Sequence, residues 1–316
     1  MRAVVIERFG GPEVLRVADV PDPQPGPREI RIAVHAAGTN PVDASNRSDG
    51  SWAGLDLPHV PGYDVAGVVD QVSAGVDANS VGDRVMAMMP FPRGAGAYAE
   101  MVVVDADLVA TVPDDVSLVD AAAVPLAAGT ALDVLDRVDV APGSWVIVHG
   151  ASGGVGTFVT QLAAARGIRV IAVASERSHD ILLELGAAAC IDYHDADIAD
   201  AAVTIAAGPV DAVLDLVGGS SLQRSLPAVR RYGRLASIAT PDLDLDPVVD
   251  ANLTFHGVLI ADGGERIRTL ARLLATGVIR PVVAEVFRLE RVVDAHRLLE
   301  TGHAGGKIVL RIQPDE

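Results

Sequence analysis

The chain has 316 residues, 25 basic and 42 acidic side chains, a formal net charge of −17, and a hydrophobic half. That length exceeds one small core and suits two domains, and the acidic surface repels nucleic-acid phosphates and anionic lipids, so neither is expected as a partner. The single cysteine, Cys190, excludes an internal disulfide and a cysteine-rich metal site, and a reducing cytoplasm is the expected location.

No run of ~18 or more uncharged apolar residues suggests a membrane span. Residues 1–11 read as a first strand rather than a signal peptide, having no long apolar core and no small-residue cleavage site. Residues 1–110 hold short β-like runs at 2–6, 29–36, 66–72, 83–88 and 98–104, split by turn clusters such as the proline-rich 21–27. Gly and Pro punctuation of this kind predicts a β-rich, partly barrel-like domain. From about 120 the period changes. Strands at 145–149, 170–174, 189–192, 212–217 and 235–239 alternate with helical stretches, among them 155–166 and 178–185, the latter ended by Gly186. Apolar runs without alternation fit strands covered on both faces, and the order predicts a doubly wound parallel sheet. The final part returns to the first texture, with a strand at 286–289, a helix at 289–301 and a strand at 307–312. The expected layout is an α/β chain: a β-rich domain from 1–120 and 285–316, with an α/β domain, 121–284, inserted.

Several residues draw only structural readings. Cys190 lies in the apolar stretch 187–191 and reads as a buried thiol. His149 is expected to pack at a strand end, and His35 and His59 stand alone. The stretch 242–246, with Asp alternating with Leu, reads as a solvated loop or edge strand, with a calcium loop as a lesser alternative since its Gly and Glu are missing. Arginine supplies nearly all the positive charge. Lys307 is the only lysine, which reads as a compositional bias rather than as chemistry.

The strongest motif is Trp145-Val-Ile-Val-His149 followed by Gly150-Ala151-Ser152-Gly153-Gly154-Val155-Gly156. Its order of strand, glycine turn and helix is what a dinucleotide site requires. Side chains would keep the backbone away from a pyrophosphate, and the helix start offers free N–H groups and its positive dipole end. The usual G-x-G-x-x-G reads Ala151-x-Gly153-x-x-Gly156, with Ala in first place.

An NAD site usually ends its second strand with a carboxylate that holds the ribose 2′-OH. Here that strand ends at Ala174, followed by Ser175-Glu176-Arg177. Without the carboxylate a 2′-phosphate is not repelled; Ser175 can donate to it and Arg177 can pair with it. NADP(H) is the expected cofactor, with Glu176 as the counter-indication that keeps NAD open.

The blocks 1–4 and 9–15, Ala37-Gly-Thr-Asn-Pro-Val-Asp43, Pro61-Gly-Tyr-Asp-Val-Ala-Gly-Val-Val69, Val81-Gly-Asp-Arg-Val85, Gly150–Gly156, 185–187 and 191–193 follow one another as in a known family. The chain resembles the zinc-free quinone oxidoreductase branch of the medium-chain dehydrogenase/reductase superfamily, the zeta-crystallin-like NADPH:quinone reductases. The resemblance runs nearly end to end. It implies a GroES-like catalytic domain beside a Rossmann domain, and further cofactor contacts at Tyr193, Val217 and Gly218. It also implies a homodimer through an edge strand near 253–260, whose apolar sequence needs a partner or else packs internally.

Zinc-dependent relatives carry Cys where this chain has Asn40, and a His-Glu pair where it has Tyr63-Asp64. Their cysteine-rich lobe would follow 83–85, where this chain has no Cys. Tetrahedral zinc needs three or four thiolate or imidazole-type ligands, so no metal is expected. Without a metal to polarise a simple ketone, the acceptor must be easier to reduce: a quinone, or an enone taking hydride at its β-carbon. By resemblance, Asn40 would line the substrate cleft and offer its amide, and Thr130 would be the hydroxyl near the nicotinamide. Asp43 and Arg47 fall on one face if the segment is helical; Arg47 either attracts an anionic group or pairs with Asp43. Ser45 stands where many relatives have a Tyr proposed as a proton donor, which leaves the proton source open. Tyr63 either takes part of that role or packs. The leading expectation is an NADPH-dependent quinone or enone reductase. The alternatives are a pathway-specific C=C reductase and an NADPH-binding protein without turnover.

Overall fold

The computed structural model describes residues 1–50, 53–92, 94–194, 197–261 and 263–313. It divides into two compact units, 1–129 with 261–316, and 130–260. In chain order the first unit opens with β1 (Arg2–Val5), β2 (Arg16–Asp19), β3 (Glu29–Gly38), α1 (Pro41–Ser48), β4 (Asp64–Val72), β5 (Arg84–Met88), β6 (Met101–Asp105), β7 (Val109–Thr111) and α2 (Leu118–Ala122). The boundary near 130 falls inside α3 (Pro125–Val138). The second unit follows with β8 (Trp145–His149), α4 (Gly154–Ala165), β9 (Arg169–Val173), α5 (His179–Glu184), β10 (Ala189–Ile191), α6 (Ile198–Ala206), β11 (Val210–Asp215), α7 (Ser221–Ser225), β12 (Val229–Ser237), α8 (Asp246–Asp250) and β13 (Thr254–Gly257). The chain returns to the first unit for α9 (Gly264–Ala275), β14 (Val283–Arg288), α10 (Val292–Glu300) and β15 (Lys307–Arg311).

The first unit is the expected β-rich one. A seven-stranded sheet runs β14-β15-β3-β4-β5-β7, with β6 also paired to β3, and β1 and β2 form a separate ribbon. Long β3 alternates half-buried and buried residues along most of its length, the pattern of a strand with one face on a core. α9 belongs to this unit, although the sequence reading had assigned everything up to 284 to the inserted part. Its Ile267, Leu270 and Leu274 are buried on one stripe, and the helix packs on β5 and β7.

The second unit is a six-stranded sheet in the order β10-β9-β8-β11-β12-β13, every pair parallel. Val146, Ile147, Val148, Val170, Ile171 and Ala172 are buried to 1% exposure or less, as strands covered on both faces require. The stretch 242–246 forms no edge strand. It is a loop that runs into α8, where the Asp244 carboxylate accepts the Asp246 N–H. Among the described residues no helix is long and apolar enough to cross a membrane.

Candidate active site

In the second unit β8 runs straight into the glycine turn and α4. Gly150 has a φ of +71°, a conformation other residues adopt at a cost. A Cβ on Gly156 would lie 2.3 Å from the Gly150 carbonyl oxygen, so only glycine lets the helix settle on the turn. The first helical N–H bond to a backbone carbonyl at i−4 runs from Thr157 to Gly153, which leaves the N–H groups of Gly154, Val155 and Gly156 at the helix start for another acceptor. Ala151, in first-glycine place, is fully buried under this turn. Ser152, Gly153 and Gly154 are half-buried around it. A phosphate fits this cradle of backbone donors.

The end of β9 carries no carboxylate. Ala174 is buried, Ser175 is half-buried, and Glu176 and Arg177 are exposed in a single 3₁₀ turn. Asp192, beyond β10, ties this turn down: it accepts the Glu176 N–H at 2.9 Å and both the backbone N–H and the ring Nδ1 of His194 at 2.8 Å. The His194 amide, with these further bonds, holds the Asp192 carboxyl down at about 2. Tyr193 stacks on His194 with ring centroids 4.1 Å apart.

Asp215 at the end of β11 does similar work. Its Oδ1 accepts the N–H groups of Val217 and Gly218 at 3.0 and 2.9 Å, and its Oδ2 accepts the Ser237 hydroxyl. Val217 is thereby held 60% exposed. The expected strand 212–217 ends at Asp215, because the carboxylate turns the chain. His149 is buried against the Ser225 hydroxyl, 2.7 Å from its Nε2, and burial pushes its pKa down to about 4. Thr130 is 5% exposed on α3.

In the first unit the candidate residues meet at the start of α1. Pro41 occupies the first helical position, and Asp43 in the first turn reaches back to accept the Asn40 N–H at 2.8 Å. The Asn40 side chain makes two bonds of its own. Its Nδ2 donates to Asp64 Oδ2 at 2.9 Å, and its Oδ1 accepts from Lys307 Nζ at 2.6 Å. Asp64 is fully buried, and its other oxygen accepts the Leu126 N–H at 2.7 Å. The close approach of β3 to this point depends on Gly38, where a Cβ would lie 2.3 Å from the Ala122 carbonyl.

Asp43 is buried, accepts the Tyr98 hydroxyl at 2.9 Å, and leaves its Oδ1 without a partner. Burial pushes its pKa up to about 7 against the pull of these hydrogen bonds. Arg47 does not pair with Asp43. Its guanidinium is buried and divided among the Gly10 carbonyl at 3.0 Å, His296 Nδ1 at 3.3 Å and the Glu300 carboxylate, which ties α1 to α10. Tyr63 is 1% exposed; its hydroxyl accepts from Asn46 Nδ2 at 2.7 Å and donates to the Pro92 carbonyl. Burial pushes that hydroxyl well above its ordinary range.

The sequence reading missed Lys307, Asp64 in its role as an acceptor, Tyr98, His296, Asp192 and Asp215. Tyr98 and His296 carried no pattern that pointed to them. Asp192 had one, since a lone carboxylate directly after an apolar run is a candidate loop anchor; Asp215 was hidden inside the run 212–217.

Residues 26–114 match the family described as the alcohol dehydrogenase GroES-like domain, and 185–310 the one described as zinc-binding dehydrogenase. A quinone oxidoreductase of Sus scrofa is 31% identical over 98% of this chain and 97% of its own length. The chain belongs to the quinone oxidoreductase branch of the medium-chain dehydrogenase/reductase superfamily. An NADPH-dependent alkenal/one oxidoreductase of Arabidopsis thaliana is 32% identical, covering 98% of this chain and 79% of that one. The solved quinone oxidoreductase from Coxiella burnetii superposes with a TM-score of 0.90 at 34% identity, covering 99% of each chain. A structure described as an NAD-dependent alcohol dehydrogenase does so at 0.92 and 33%, covering 99% of this chain and all of that one. As a member of this superfamily the protein is an oxidoreductase of small molecules that uses a nicotinamide cofactor, and the glycine cradle fits the cofactor's phosphates.

Zinc, which one family description names, does not fit the residues present. The matching positions offer one amide, one phenol and one carboxylate, and an ammonium already sits 2.6 Å from the amide oxygen and 3.1 Å from the carboxylate. Among the described residues no three His, Cys, Asp or Glu side chains converge as a metal site.

Proposed function

We propose that this oxidoreductase uses NADPH to reduce a quinone or an α,β-unsaturated carbonyl compound, without zinc. The observation that carries this reading is the glycine cradle of 150–156 followed by a second strand that ends at buried Ala174 without a carboxylate. In this reading Gly150, Ala151, Ser152, Gly153, Gly154, Val155 and Gly156 hold the pyrophosphate. Ser175 and Arg177 meet the 2′-phosphate, and Tyr193, Val217 and Gly218 complete the cofactor's surroundings. The names of the pig quinone oxidoreductase and the Arabidopsis alkenal/one oxidoreductase support the same acceptor classes.

The reduced nicotinamide supplies hydride when bound. The chain's own part is to hold the acceptor and stabilise the oxyanion that develops on it. Asn40, with one amide hydrogen left after its bond to Asp64, is the proposed donor, and Thr130 keeps the nicotinamide-side role that the family resemblance gives it. Tyr63 packs rather than transferring a proton, because its hydroxyl is spent between Asn46 and Pro92. Asp43 and Arg47 act by fixing α1. The final proton then comes from solvent. Cytoplasmic location and a homodimer belong to this proposal as well.

Exposed Ser45 favours a second reading, a reductase for one particular C=C bond, since a serine leaves room that a tyrosine would fill. Loss of the 340 nm nicotinamide absorbance is to be followed first with a panel of quinones and then with a panel of enones. Turnover of quinones supports the first reading, and turnover of a narrow set of enones supports the second. NADPH binding without loss of absorbance on any acceptor overturns both and points to a binding protein.

A further inference from the structure

Lys307 is the only lysine of the chain, and it is not on the surface. Its side chain is 4% exposed and faces Asp64 at 0%. Lysine is among the residues least often buried, because removing an ammonium from water costs several kcal/mol unless it is fully partnered. Here all three of its hydrogens have acceptors: Thr39 O at 2.8 Å, Asn40 Oδ1 at 2.6 Å and Asp64 Oδ2 at 3.1 Å. The same Asp64 oxygen accepts from Asn40 Nδ2, so lysine, amide and carboxylate close a ring of hydrogen bonds. The ring fixes which way the Asn40 amide points: oxygen toward the ammonium, nitrogen toward the carboxylate.

We propose that Lys307 is a positioning residue, the built-in cation of the first unit, which balances buried Asp64 and locks the Asn40 amide in the orientation that serves the acceptor. The charge-balancing part stands on the geometry alone; the link to turnover rests on the proposed function. The ammonium thus fills with a tethered charge the place for which the residues are unsuited to hold zinc. Other ionisable groups near the ring are Asp43 on α1, which feels both Lys307 and Asp64, and Tyr98, which feels both carboxylates.

Two variants test this. Lys307→Met keeps the side-chain length but strands Asp64 without a counter-charge. In Asp64→Asn/Lys307→Met no buried charge is left over. The amide introduced at position 64 then has one acceptor oxygen for both Leu126 and Asn40, and the thioether at position 307 offers no donor. In thermal melts the single variant is expected about 10 °C below the wild type at pH 8. The double variant should melt within about 3 °C of the wild type at the same pH. Its Asn40 side-chain amide, assigned in ¹H–¹⁵N spectra by its loss in Asn40→Ser, should exchange about 10-fold faster than in the wild type. Its kcat should fall about 10-fold, with the NADPH dissociation constant unchanged within about twofold.

A single variant as stable as the wild type, or a double variant no more stable than the single one, overturns the charge balance. Unchanged amide exchange together with full kcat overturns the positioning role. If the wild type reduces no acceptor, the functional reading has failed, and the melts and amide exchange still decide the role of Lys307.

Discussion

At the scale of single residues, Lys307 is bonded to Thr39, Asn40 and Asp64 inside the first unit. Counted, one lysine among 25 basic residues is a bias of composition. Placed, it is the only cation bonded to Asp64 among the described residues, and composition carries no information about depth. The motif glycines were legible because their constraint is local: Gly150 needs a positive φ and Gly156 a contact within six residues. Asn40 was legible by position, but its partners lie 24 and 267 residues away.

Asp43 gives a pH prediction. Burial raises its pKa from 3.8 to about 7 in the folded chain. The folded state therefore binds this proton more tightly than the unfolded one. Its contribution to stability is fully present below about pH 4 and is lost as the pH rises through about 7. Asp43→Asn keeps one oxygen for the Asn40 N–H and the Tyr98 hydroxyl and removes the titration. Calorimetry from pH 4.5 to 8 should find the wild type losing about 5 °C relative to the variant between pH 4.5 and 7, and nothing further above that. Parallel curves would show that Asp43 does not titrate in this window.

Arg177 gives a specificity prediction. If it meets a 2′-phosphate, Arg177→Ala removes a charge-assisted bond worth about 1.5–3 kcal/mol, or roughly 10- to 100-fold in the dissociation constant. Calorimetric titration should show that loss for NADPH and less than about twofold for NADH, which has no 2′-phosphate. Equal losses would mean that Glu176, not Arg177, governs the ribose.

At the scale of elements, the second unit was readable because each buried parallel strand is a short, uninterrupted apolar run. The errors lie where a polar residue overrides the run. The run 212–217 resumes apolar at Leu216 and Val217, yet the strand stops at Asp215, whose carboxylate collects the N–H groups of Val217 and Gly218. α9 was assigned to the wrong side of the expected boundary because its apolar stripe is the same whichever sheet it covers. β13 ends its sheet, paired only to β12 among the described residues. Phe255 on it is 38% exposed, and nearby in the chain Leu259 is 64% exposed. An apolar edge of this kind asks for a partner strand, and we expect a second copy of the chain to supply it. Sedimentation velocity should find a dimer for the wild type and a monomer for Phe255→Glu/Leu259→Glu, with NADPH affinity unchanged within about twofold. A monomeric wild type at 100 µM, well above ordinary dimer dissociation constants of about 1 µM or less, would sink the expectation.

At the scale of the whole molecule, the charge of −17 bears on which acceptors are used. Its field reaches furthest at low ionic strength, where the screening length is ~30 Å at 0.01 M, and shrinks to ~8 Å at 0.15 M. A neutral quinone or enone does not feel it. An anionic acceptor is repelled on approach and should be used less well, and added salt should relieve the difference. With NADPH saturating, so that the cofactor's own charge drops out, kcat/KM for a neutral quinone should change by less than about twofold between 10 and 150 mM salt. For a sulfonated analogue of the same quinone it should start lower and rise roughly 3- to 10-fold over that range. If the sulfonated quinone instead lost rate as salt was added, arginines near the acceptor would be steering it in against the net charge, and the natural acceptor would be sought among anions.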